Sequence, residues 1–77
     1  MKRKLTPSEQ KRLQNIGNFL RTYRELSGYT QEELGSKADL NFRTVFRIEH
    51  GQSITLQSLL SIADALELDT SEVLVDH

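Results

Sequence analysis

TQEELGSKADLNFRTVFRIEHG, residues 30–51, reads as two short helices joined by a tight turn. Thr30 stands three residues before Glu33, the spacing of a capping box. The hydroxyl takes one free N–H of the helix start and the carboxylate reaches back to another. The first helix therefore runs from Gln31 to about Ala38, with Leu34 and Ala38 four apart on its inner face. Asp39-Leu40-Asn41 breaks the pattern. Asn41 is a suitable cap for a second helix from Phe42 to about His50, and Gly51 ends it in the left-handed conformation.

The second helix has two faces. Val45 and Ile48 point at the core, and Phe42, Arg43, Phe46, Arg47 and His50 fall on the opposite side. Two arginines four apart repel each other, so they are poor choices for stability alone. Arginine and phenylalanine together equip a helix to meet a partner, and the major groove of DNA is one such partner. There Arg forks to guanine and Phe packs on a thymine methyl.

Gln31-Glu32-Glu33-Leu34, Leu40-Asn41, Val45, Ile48-Glu49 and Gly51 resemble the helix-turn-helix of the Cro and phage-repressor type, the XRE family. The resemblance extends upstream to Ile16-Gly17, Leu20-Arg21 and Arg24. Downstream it takes in Leu56, Leu59, Ile62-Ala63 and Ala65-Leu66, so it covers about residues 16–74. It implies an all-α, five-helix, lambda-repressor-like domain that binds double-stranded DNA through the helix at 42–50. It further implies that Arg24 pairs with Glu49, tying the first helix to the third. Gln31 would bond a DNA phosphate and brace the start of the reading helix. The loop around Ser53, Thr55 and Gln57 would place N–H groups on phosphate. The chain departs from the pattern at Gly35, where the family usually has Ala.

The 77 residues make one small domain, expected over residues 7–77 behind a basic arm at 1–6. There is no cysteine, so no disulfide supports the modest core. No apolar run approaches a membrane span or a signal peptide, which points to the cytoplasm. The net charge of −1 hides an uneven distribution. Residues 1–50 hold all ten Lys and Arg against six acids, whereas residues 51–77 hold five acids and neither Lys nor Arg. Positive charge thus gathers with the reading helix, where it steers toward phosphate.

Along the chain, Lys2-Arg3-Lys4 is either a solvated tail or an arm that touches DNA backbone or minor groove. Thr6-Pro7-Ser8-Glu9 repeats the capping box with Pro at the first helical position, opening a helix from Pro7 to about Leu26. Its buried stripe is Leu13, Ile16, Leu20 and Tyr23, flanked by Phe19 and Leu26. Gly17 costs about 1 kcal/mol in a helix interior, which a second helix lying close across it would explain. Thr55 caps a fourth helix, Leu56 to about Leu66. The apolar positions Leu56, Leu59, Leu60, Ile62, Ala63 and Leu66 are wide for one face, so part of it can meet a second subunit. Thr70 to Val73 opens a last short helix. Val73, Leu74 and Val75 exceed what one small core needs. In the resembled family the C-terminal helix often forms a two-fold contact, which implies a homodimer through the C-terminal helices; packing within one chain is the other explanation.

No catalytic constellation is present, and no cofactor or metal is expected. His50 and His77, the two histidines, lack partners at metal-ligand spacing. No phosphate-cradling glycine loop or nucleophile elbow occurs, so an enzyme is not expected. The reading is a transcription regulator, most simply a homodimeric repressor on a near-palindromic operator. Phe42, Arg43, Phe46 and Arg47 would meet base edges. Gln31, Thr44, His50, Ser53 and Thr55 would meet the backbone, and Arg24–Glu49 would be the internal pair. The alternative is a protein-interaction module in which Phe42 and Phe46 grip a protein partner, as in an antitoxin, or a restriction–modification controller.

Overall fold

The computed structural model describes residues 3–75, so Lys2 of the basic arm and His77 lie outside the described residues. The order is α1 (Pro7–Leu26), α2 (Gln31–Ala38), α3 (Phe42–Glu49), α4 (Leu56–Ala65) and α5 (Thr70–Leu74), with no strand among the described residues. No helix is long and apolar enough to cross a membrane.

Local chemistry sets the starts. Thr6 with Glu9, Thr30 with Glu33 and Asp69 with Glu72 form complete capping boxes. Asn41 accepts from the Arg43 N–H and Thr55 from the Ser58 N–H. The fifth helix is capped by Asp69, one residue ahead of the Thr70 at which its sequence pattern opens. Gly28 and Gly51 stop α1 and α3 at φ +79° and +76°. Asp39 adopts φ +57° after α2, a left-handed conformation that a short polar side chain tolerates better than most.

Each helix sends a large, wholly buried side chain to a common core: Leu20, Leu34, Val45, Ile62 and Val73. Burying each of these contributes about 1.5–3 kcal/mol. Leu59, Ala63, Ala65, Leu66 and Leu68 widen the cluster, and Tyr29, Leu40 and Ile54 pack on it from the connections. Helix α3 packs on α1 and α2, α2 on α4, and α5 closes against α1 and α4.

Two glycines permit the closest approaches to backbone. A Cβ on Gly17 would stand 2.3 Å from the Ile48 carbonyl oxygen and 3.0 Å from that of Glu49, so the end of α3 lies directly on α1. A Cβ on Gly35 would meet the Leu40 carbonyl at 2.7 Å. The turn between α2 and α3 is thus tight enough to use the glycine that departs from the usual Ala.

Not all the apolar stripe is buried. Leu26, expected to flank the α1 stripe, is 77% exposed at the last position of the helix, where Ser27 and Gly28 turn the chain away. On α4, Leu59 and Ile62 face inward while Leu56 and Leu60 are exposed, and Leu74 and Val75 stand out beside the buried Val73.

Candidate nucleic-acid interface

Helix α3 divides by residue. Val45 and Ile48 are 1% and 2% exposed, whereas Phe42 and Phe46 are 45% and 44% exposed. Arg43 and Arg47 are exposed beside them, Thr44 is half-buried and His50 is exposed at the C-cap. With 100° per residue, Phe42, Phe46 and His50 form one row and Arg43 and Arg47 a parallel row. Among the described residues neither guanidinium enters a salt bridge, so both are available to a ligand.

The helix is held by a buried polar cluster. Arg24 Nε and Nη2 donate to Glu49 Oε2 and Oε1 at 2.6 and 3.0 Å, with the residues 9% and 4% exposed. Arg24 Nη1 donates to the Tyr29 carbonyl at 2.8 Å. A bidentate guanidinium–carboxylate pair fixes direction as well as distance, and the hydrogen bonding to Glu49 pushes the Arg24 pKa up. The pair sets the angle of α3 against α1, and the Tyr29 bond adds the entry to α2.

Gln31 joins this cluster. Its Nε2 donates to Glu49 Oε1 at 3.1 Å. The resemblance implies a brace at the start of the reading helix; the hydrogen bond seen is to its last residue, because Glu49 closes α3 beside the first turn of α2. The amide keeps a second N–H, directed by the bond to Glu49. Sequence spacing gave no signal for this contact, since 18 residues separate the two partners.

His50 has a further role that the sequence reading missed. Its ring stacks on Phe46, centroids 3.9 Å apart at 22°, and its Nδ1 lies 2.8 Å from the Phe46 carbonyl oxygen. The i, i+4 spacing was the available signal.

In the loop after α3, Ser53 is exposed. The Thr55 hydroxyl accepts from the Ser58 N–H at 3.1 Å and donates to Ser58 Oγ at 3.0 Å. That hydroxyl is therefore engaged in capping, and the groups that α4 leaves for an anion are the free N–H groups of its first turn.

The arm is folded back where it is described. Arg3 Nη1 and Nη2 donate to Glu9 Oε1 and Oε2 at 2.8 and 2.7 Å, while Glu9 Oε1 accepts from the Thr6 N–H at 2.9 Å. The Arg3 hydrogen bonds, followed by that of Thr6, lower the Glu9 pKa to about 2. No group of three or more metal-ligating side chains occurs among the described residues.

A helix-turn-helix family model matches residues 20–73. Among solved structures, the restriction-modification controller protein C.AhdI from Aeromonas hydrophila is 32% identical, with 79% of this chain covering 94% of that one at a TM-score of 0.76. The clp gene regulator ClgR from C. glutamicum is 25% identical, with 82% of this chain on 83% of that one at 0.74. The competence regulator ComR from Streptococcus vestibularis, in its apo form, is 32% identical; 82% of this chain matches 22% of its length at 0.74. No match is found among curated proteins.

Proposed function

The chain belongs to the XRE-type helix-turn-helix family of DNA-binding transcription regulators, and from that premise we propose that it is a homodimeric, sequence-specific regulator of cytoplasmic DNA. The observation that carries this is the outer face of α3, where two unpaired arginines lie beside two half-exposed phenylalanines.

Arg43 and Arg47 fork to guanine edges, each contributing ~1–3 kcal/mol of discrimination. Phe42 and Phe46 make the apolar contacts to the groove. Gln31, through its remaining N–H, positions the backbone together with Thr44, Ser53 and the first turn of α4. Thr55 contributes through the helix start that it caps. The chain dimerises through the exposed Leu60, Leu74 and Val75 of its C-terminal helices. That places two reading helices about one DNA turn, ~34 Å, apart on a near-palindromic operator. The likeness to C.AhdI favours one version of this role, control of a restriction–modification system.

The test is selection from random duplex DNA at two salt concentrations, with an Arg43→Ala, Arg47→Ala double variant alongside. A palindromic site enriched by the wild type and lost by the variant supports the reading. Unselective retention that vanishes with modest salt overturns it.

A further inference from the structure

We infer that His50 is a positioning residue for Phe46, and that the stacked pair reads a pyrimidine C5-methyl group in the major groove. The inference rests on the DNA-reading role of α3 and deepens it, giving His50 the part of ordering Phe46 for its methyl contact.

His50 is doubly held. Its Nδ1 lies 2.8 Å from the Phe46 carbonyl oxygen, a distance at which a protonated Nδ1 donates to it. The ring is thereby folded back along α3, and it meets the Phe46 ring face on at 3.9 Å. Backbone thus fixes the imidazole, and the imidazole covers one face of the phenylalanine. An exposed phenylalanine on a helix ordinarily samples more than one rotamer. Here one of its faces is occupied, which leaves the opposite face and the edge for a ligand. A side chain already held in its bound pose loses less entropy on binding.

The ligand must be apolar, compact and reachable from a helix whose neighbouring row is cationic. On a base edge in the major groove, only the thymine methyl is apolar. Phe46 immediately precedes Arg47, so one turn of α3 presents a methyl-sized apolar contact next to a guanine-forking guanidinium. A phosphate role for His50 would instead leave the ring free to extend toward the backbone. The stack and the Nδ1 contact instead hold it against Phe46.

The probe is the operator obtained by selection, remade with each thymine in turn replaced by deoxyuridine, which removes only the methyl. Wild-type protein is expected to lose about fourfold in affinity at one thymine per half-site, the value of one methyl group. Phe46→Ala should bind the thymine and uracil operators equally. His50→Ala should cut the preference below about twofold, in proportion to the lost ordering. His50→Phe, which keeps a ring without the imidazole nitrogens, should restore part of it. In the free protein, the imidazole protons should show an upfield ring-current shift that Phe46→Ala abolishes. If His50→Ala weakens both operators by one factor and His50→Phe recovers nothing, His50 is a phosphate contact and the inference fails. Specific binding without any uracil effect also overturns it while leaving the regulator reading intact. Failure to select any operator overturns that reading itself.

Discussion

The Cα of Gly17 faces the Ile48 carbonyl so closely that an added Cβ would stand 2.3 Å from that oxygen. This approach seats the last turn of the reading helix on α1. Helix propensity alone says that Gly17→Ala should stabilise α1 by about 1 kcal/mol. Packing opposes it, because the obstacle is backbone and cannot rotate away, and overpacking of this kind costs ~1–3 kcal/mol. The variant should melt below wild type and bind operator more weakly than its stability loss explains, since α3 must tilt. Circular dichroism melts and a DNA titration check both; a raised melting temperature would refute the packing argument.

Arg24 and Glu49 provide a second test. Replacing Glu49 by Ala leaves a guanidinium at a position 9% exposed and also removes the acceptor of Gln31. Loss of one partner of a buried pair costs ~3–5 kcal/mol, a large share of the ~5–15 kcal/mol that holds a domain together. An Arg24→Met, Glu49→Leu double variant should recover most of the stability. It should not recover affinity, because Gln31 then has no carboxylate to direct its amide. Denaturant titration of wild type and the two variants separates pair from charge. Equal stability of the single and double variants would rule out an unpaired-charge penalty.

The reading face should show a trade between stability and binding. Arg43 and Arg47, four apart on α3, repel each other by ~0.2–0.5 kcal/mol. Either alanine substitution should leave the melting temperature unchanged or slightly raised. Each should nevertheless weaken specific binding by ~1–3 kcal/mol. A substitution that lowers stability and affinity in parallel would mean that the arginines serve the fold.

These relationships differ in how far the sequence displayed them. Thr6 with Glu9 and Thr30 with Glu33 are local rules, and they place the starts of α1 and α2 where the structure has them. Val45 and Ile48 against Phe42 and Phe46 follow from helical period alone. The Arg24–Glu49 contact spans 25 residues, and only family resemblance pointed to it. The Gln31–Glu49 contact is hidden for the same reason: the register of α2 against α3 is set by packing, not by spacing. Leu26 misled because periodicity marks a face but not where neighbouring elements end. Tyr29, Leu40 and Ile54 pack on the core from connections that have no period to read.

Acid should loosen the first turn of α1 in a predictable window. Glu9 has its pKa lowered from 4.5 to about 2 by the Arg3 and Thr6 hydrogen bonds. A depressed folded-state pKa means that its stabilising contribution is complete above about pH 4.5 and is lost as the pH falls toward 2. Glu9→Gln should remove that part of the pH dependence. NMR titration of the Glu9 side chain supplies the check, with a midpoint near the ordinary value showing that the Arg3 contact does not persist in solution.

The C-terminal face supplies the last prediction. Leu60 is 44% exposed and Leu74 55% exposed, while Leu59 and Val73, beside them in sequence, are buried. Core packing accounts for the buried pair and leaves the exposed pair without a reason inside one chain. A second copy supplies one. Leu60→Glu and Leu74→Glu together should leave the melting curve of the monomer nearly unchanged, because surface substitutions generally shift stability within about ±0.5 kcal/mol. They should shift the dimer equilibrium toward monomer, since a carboxylate buried at a two-fold contact faces its own copy across the axis. Affinity for a full palindrome should then fall toward that for a half-site. Sedimentation equilibrium paired with full-site and half-site titrations tests both parts. A variant that remains dimeric, or a wild type that binds the two sites equally, would remove α4 and α5 as the interface and return these leucines to the ordinary exposed apolar surface of a small domain.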